Sequence, residues 1–154
     1  MKVSASLSNK SENPASVLTK VTVLGATGSI GLNTLDIIRQ FPQKFQIEAL
    51  SCRNSIEQLC EQIREVKPRL VCVDTSDQAQ ELRESFRSGH RCPEIEFVWG
   101  MEGLKQISRD PEVDLVMAAI VGAAGLEPTF SAVEAGKIVA VANKEPLVMA
   151  GKLF

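Results

Sequence analysis

Tyrosine is absent from the 154-residue chain. That removes catalysis by a Tyr-x-x-x-Lys acid/base pair, which needs the phenol as its proton carrier. Histidine is nearly as scarce, with His90 alone in a polar loop, and the four cysteines (Cys52, Cys60, Cys72 and Cys92) form no C-x-x-C pair. Zinc requires several such ligands at close spacing, so no metal site is expected within this chain. The same cysteine pattern fits a reducing compartment, with Cys52 and Cys72 as small buried thiols. No stretch approaches the roughly 20 consecutive apolar residues of a membrane span. There is no dense basic block either: 17 Lys and Arg face 19 Asp and Glu, for a net charge of −2. A nucleic-acid-binding surface is therefore not expected, and a nucleotide would be met by local cations and backbone dipoles. A secretory signal would need an apolar middle that the N-terminus lacks, and no Arg precedes Arg39, which weighs against a transit peptide. The expected setting is cytoplasmic, without membrane attachment.

What is present is ordinary in bulk. Apolar residues make up 44% and charged residues 23%, a balance and a length that support one domain with a real core. Residues 1–19, rich in Ser and Asn with Pro14 and without periodicity, are expected to be a flexible tail, leaving a folded domain over 20–154. Beyond residue 20, strand and helix patterns alternate. Val21–Leu24 and Phe45–Ser51 read as strands around a helix over Ile30–Arg39 that Pro42 stops. Ile56, Leu59, Cys60, Ile63 and Val66 recur at helical spacing until Pro68. Leu70–Val73 is a third strand, followed by a polar helix over Asp77–Arg87 and a loop over Ser88–Pro93. Ile95–Trp99 reads as a strand, Glu102–Ser108 as a helix, and Asp114–Ile120 as a strand covered on both faces. Pro128–Ala135 is a helix ended by Gly136, and Ile138–Ala142 the last strand. Such alternation predicts an α/β fold: a doubly wound, mostly parallel sheet with helices on both faces, Rossmann-like, with right-handed crossovers.

Three places carry chemistry. The first is Gly25-Ala26-Thr27-Gly28-Ser29-Ile30-Gly31, where a strand runs through a glycine-rich turn into a helix. Glycines there permit a tight turn, close approach to a ligand and close helix–strand packing. The first N–H groups of the helix lack internal partners and carry the positive dipole end, which suits a diphosphate. The spacing is Gly-x-x-Gly-x-x-Gly, so a plain tight turn is the competing reading. The second is the end of the second strand, Ser51-Cys52-Arg53-Asn54. An acid in that place selects a free ribose 2′-hydroxyl, whereas an Arg grips a 2′-phosphate. The nearest acid, Glu48, lies inside the strand, which favours NADP over NAD. Asn54 also suits the cap of the following helix. The third is Asn143-Lys144-Glu145-Pro146 after the last strand, an amide, a cation and a carboxylate at the sheet edge where ligands lie. A surface loop leading into a helix that begins with Pro146 is the alternative. The small residues from Met117 to Gly125 either line a groove or serve tight packing.

Taken together, Gly25–Gly31, Met117-Ala-Ala-Ile-Val-Gly-Ala-Ala-Gly125 and Ala142-Asn-Lys-Glu145 resemble, in order and spacing, the 1-deoxy-D-xylulose 5-phosphate reductoisomerases of non-mevalonate isoprenoid biosynthesis. The resemblance runs from about residue 20 to the end of the chain. It implies an NADPH-dependent oxidoreductase that isomerises a sugar phosphate and reduces it to 2-C-methyl-D-erythritol 4-phosphate. It further implies that Thr27, Gly28, Ser29 and Ile30 contact the diphosphate side of NADPH. Arg53 and Asn54 would lie at the 2′-phosphate, Asn143 and Glu145 near the nicotinamide, and Lys144 at the substrate. The family uses Mg or Mn and is generally a homodimer. Its acidic metal ligands and its catalytic and C-terminal helical domains lie beyond Phe154, so this segment is expected to bind cofactor without turnover and to hold no catalytic residue. Two departures stand out: Pro146 where the family has Ser, and Cys52 where it has Gly in a longer loop. The competing readings are a non-catalytic NADP-binding or sensing domain and a truncated dehydrogenase of the homoserine or semialdehyde type.

Overall fold

The computed structural model describes residues 17–87, 94–142, 144, 147–148 and 151–152. Strands β1 (Thr19–Leu24), β2 (Phe45–Ser51), β3 (Leu70–Val73), β4 (Glu96–Trp99), β5 (Leu115–Ala118) and β6 (Ile138–Val141) alternate with helices. These are α1 (Ser29–Gln40), α2 (Ile56–Val66), α3 (Ser76–Arg87), α4 (Gly100–Arg109) and α5 (Leu126–Glu134). A single 3-10 turn, Ala123–Gly125, precedes α5. The strands form one sheet in the order β4-β3-β2-β1-β5-β6, and every pairing is parallel.

The pattern-based expectations hold element by element, with differences at the ends. β1 opens at Thr19, inside the segment read as tail, because the Thr19 N–H donates to the Lys44 carbonyl at 2.8 Å. α5 opens at Leu126, ahead of Pro128; a proline in the first turn gives up an N–H that has no helical partner there. The expected loop over 88–93, with His90 and Cys92, and the tail over 1–16 lie outside the described residues.

Strand alternation sorts side chains into two cores. Val21, Val23, Ile47, Leu50 and Val71 pack with Leu35, Leu59, Ile63, Ala79 and Leu82 from α1, α2 and α3. Leu24, Ala49, Leu70, Cys72 and Val116 pack with Ile107 of α4 and Ala132 of α5 on the other face. Thr22 points into this second core, and its hydroxyl donates to the Ile107 carbonyl at 3.1 Å, which satisfies a buried polar group. β5 corrects the expectation of cover on both faces. Val116 and Ala118 are buried, but Leu115 and Met117 are only half-buried, since the helices of their face belong to the β1–β4 half. Cys52 and Cys72 are buried free thiols, and burial pushes the Cys72 thiol up to about 12, which leaves it inert near neutrality.

Glu48 has a structural explanation. Val21 pairs with Ile47 and Thr22 with Ala49, so Glu48 is the extra residue of a bulge. It is buried and bonded by the Arg69 guanidinium, which also holds Asp110 at 2.6 Å. Arg69 precedes β3, so this cluster sits at the edge opposite the β-strand carboxyl ends. Arg69→Met strands a buried carboxylate and is expected to lower unfolding free energy by roughly 3 kcal/mol in urea titration. Glu48→Leu combined with Arg69→Met should restore most of it. A single variant as stable as wild type would remove the pair's structural role.

Candidate dinucleotide site

β1 lies between β2 and β5, and the chain leaves these neighbours in opposite directions. Loops diverge at such a switch point and open a crevice beyond the carboxyl ends of the strands. The glycine-rich turn after β1 sits there. Its glycines serve three different purposes. Gly25 has φ +83°, and a Cβ on it would stand 3.0 Å from the Ala119 carbonyl oxygen, where β5 ends. Gly31 packs α1 onto the turn: a Cβ there would lie 2.2 Å from the Gly25 oxygen and 2.7 Å from Ala26. Gly28 is different. It is exposed and extended (φ −78°, ψ 167°), and a Cβ would meet only the Gly25 oxygen, at an ordinary 3.6 Å. The fold requires Gly25 and Gly31; nothing in the fold requires Gly28.

Gly28 is also the cap residue of α1, and no side chain caps this helix. Only the Leu32 N–H reaches back, to the Gly28 carbonyl at 2.9 Å. The N–H groups of Ser29, Ile30 and Gly31 therefore have no intrahelical partner, and Ser29 and Ile30 are exposed beside them. The first turn of α1 carries no acid and its last turn carries Arg39, so the helix itself places no carboxylate against an anion at its start.

The turn is fixed from β2 and α2. The Gly25 N–H donates to Ser51 Oγ at 2.9 Å, and the Ala26 N–H to the Ser51 carbonyl at 2.8 Å. Gln62 Nε2 donates to the Ala26 carbonyl at 2.9 Å. Thr27 Oγ1 and Cys52 Sγ share a hydrogen bond at 3.3 Å, so the Cys52 departure ties the two loops together. Ser51 and Gln62 were missed in the sequence. One signal existed: Gln62 places a polar group beside the apolar stripe of Leu59, Ile63 and Val66 on α2.

Arg53 follows β2 at the same sheet edge, with its side chain 75% exposed. Its Nε lies 3.7 Å from Asp74 Oδ1 at the end of β3, too far for a strong bond and near enough to orient the guanidinium. Asn54 is exposed as well, but the expected cap role passes to Ser55, which makes no side-chain cap bond. The Ala142 N–H donates to the Ala118 carbonyl at 3.2 Å, which brings the exit of β6 to this edge. Lys144 is exposed two residues later, and its carbonyl accepts the Val148 N–H at 2.9 Å. Asn143, Glu145 and Pro146 lie outside the described residues. The small residues after β5 serve packing at Gly125, where a Cβ would approach the Ile120 carbonyl oxygen to 2.9 Å. Among the described residues no group of three His, Cys, Asp or Glu side chains could hold a metal ion. No helix among them is long and apolar enough to cross a membrane.

An open parallel sheet with backbone donors at its switch point belongs to the doubly wound, Rossmann-like α/β class. Residues 21–151 match the family model of 1-deoxy-D-xylulose 5-phosphate reductoisomerase, and the chain belongs to that family. It is 50% identical over 140 residues to the reductoisomerase of Dechloromonas aromatica (strain RCB), covering 91% of this chain and 35% of that protein. The Shouchella clausii (strain KSM-K16) enzyme is 47% identical, with 87% and 34% covered. Among solved structures, a DOX-P reductoisomerase in complex with NADPH, fosmidomycin and magnesium superimposes with a TM-score of 0.81 at 42% identity, covering 87% of this chain and 32% of that one. The Zymomonas mobilis enzyme in complex with NADPH gives 0.79 at 33% identity, with 89% and 35% covered. The chain thus spans about a third of the length of the relatives it matches. This membership sets aside the homoserine and semialdehyde dehydrogenase alternative.

Proposed function

We propose that this chain is the NADPH-binding part of an enzyme that isomerises and reduces 1-deoxy-D-xylulose 5-phosphate to 2-C-methyl-D-erythritol 4-phosphate. The carrying observation is Gly28, a glycine whose Cβ direction is open at an uncapped helix start. A backbone surface kept bare where the fold does not demand it is explained by a ligand that must come close. The residues fit NADPH: Thr27, Gly28, Ser29 and Ile30 meet the diphosphate, and Arg53 with Asn54 meets the 2′-phosphate. Asn143 and Glu145 are assigned to the nicotinamide half and Lys144 to the substrate phosphate or hydroxyls. When bound, NADPH supplies the hydride; this chain's residues hold and orient it. The described residues do not fit a Mg or Mn ion, so no metal-dependent step is assigned to them. A cytoplasmic setting and a homodimeric full-length enzyme complete the proposal, and a full-length enzyme that sediments as a monomer would remove the second.

Titration of the chain with NADPH and NADH, followed by cofactor fluorescence, tests the reading. Saturable NADPH binding with weaker NADH binding is expected, and no NADPH consumption when 1-deoxy-D-xylulose 5-phosphate is added. Absence of NADPH binding would overturn the proposal; turnover by the chain alone would overturn the division of labour.

A further inference from the structure

We propose that Gln62 is a positioning residue for cofactor binding: its carboxamide locks the Ala26–Thr27 peptide in the orientation that presents the Thr27 N–H to the diphosphate. The inference rests on the NADPH reading above and extends it to a residue outside the glycine-rich turn.

Gln62 is 3% exposed and lies on α2 beneath the turn. Its Nε2 donates to the Ala26 carbonyl, 36 residues away in sequence, at 2.9 Å. Its Oε1 is buried without a hydrogen-bond partner among the described residues. A buried acceptor left unpaired is destabilising, whereas an apolar side chain of similar length would fill this stripe of α2 without that penalty. The carboxamide is therefore explained by its donor half. Ala26 is fully buried, so its carbonyl needs a partner inside the protein, and Gln62 supplies it.

The consequence lies in peptide geometry. No peptide bond in the described chain is cis, and across a trans peptide the carbonyl and the following N–H point in opposite directions. Drawing the Ala26 oxygen toward α2 thus turns the Thr27 N–H away from α2. Ser51 fixes the preceding peptides through the Gly25 and Ala26 N–H groups. With Gln62 released, the Ala26–Thr27 plane has no anchor of its own, and the amide loses its direction.

The test compares wild type with Gln62→Met, which keeps length without the donor, and Gln62→Asn, which keeps an amide too short to reach. Both should bind NADPH about tenfold more weakly, the equivalent of one lost hydrogen bond to a charged group. Adenosine 2′-monophosphate, a probe of the Arg53 side only, should bind as to wild type. In the ligand-free proteins, the Gly25 and Ala26 amides, which are bonded to Ser51, should exchange with solvent about tenfold faster while those of Val23 and Leu50 are unchanged. Unchanged NADPH affinity and turn exchange in both variants would overturn the inference. So would parallel loss of both ligands together with a lowered thermal midpoint, which marks general support of the fold. If wild type itself fails to bind NADPH, the cofactor reading falls, and the exchange rates still decide whether Gln62 holds the turn.

Discussion

Gly28→Val is expected to abolish NADPH binding while leaving the free protein folded and close to wild-type stability. The position is extended, a conformation valine adopts readily, and its Cβ direction is clear of everything but one oxygen at 3.6 Å. The added methyl groups would occupy the space in front of the Ser29 and Ile30 N–H groups. Displacing a diphosphate from two or more such donors forfeits about 1.5–3 kcal/mol for each charge-assisted bond, roughly a 10²- to 10⁴-fold loss of affinity. Fluorescence titration and a thermal melt on the same sample separate the two effects. Unchanged titration would refute the phosphate cradle. An unfolded variant would contradict the open space at this position. The same substitution at Gly31 is not informative, because a Cβ there collides with the turn itself.

Arg53→Asp is expected to reverse the preference between the two nicotinamide cofactors. NADPH should weaken by roughly 100-fold, and NADH by no more than about threefold, since only NADPH carries the 2′-phosphate that the guanidinium would hold. The new carboxylate adds repulsion beside Asp74, already 3.7 Å from the Arg53 side chain. Because that side chain is three-quarters exposed, the effect should shrink as salt is raised. Equal losses for both cofactors would remove Arg53 from the 2′-phosphate site. Relief by Arg53→Lys should be only partial, because a point charge replaces a planar fork.

Much of the fold was legible because its signals are local. Phe45–Ser51, Ile56–Val66 and Leu70–Val73 were read with the boundaries the structure has, since apolar period and flanking Pro42 and Pro68 mark them within a few residues. The same locality explains the misreadings. Thr19 joins the sheet through its pairing with Phe45 and its bond to the Lys44 carbonyl, partners across a helix. The half-open face of β5 depends on which helices end up over it, and this follows from strand order. Glu48 reads correctly as an acid inside the strand, but the bulge and the Arg69 partner that hold it there come from distant pairings. Asn54 looked like a helix cap, whereas the chain turns one residue later, at Ser55.

The candidate site divides in the same way. The amino-acid order alone determined that a glycine turn joins the first strand to a helix, that Arg53 ends the second strand, and that an Asn-Lys-Glu run follows the last. It also carried the family, because motifs of consecutive residues survive without knowledge of distant contacts. Only the tertiary structure decided which glycine has open space in front of it, which two the fold requires, and that Ser51 and Gln62 hydrogen-bond the turn. Those are distances between groups far apart in sequence, set by the packing of β2 and α2 against β1. Physical proximity of that kind is a property of the assembled sheet and leaves no periodic trace along the chain.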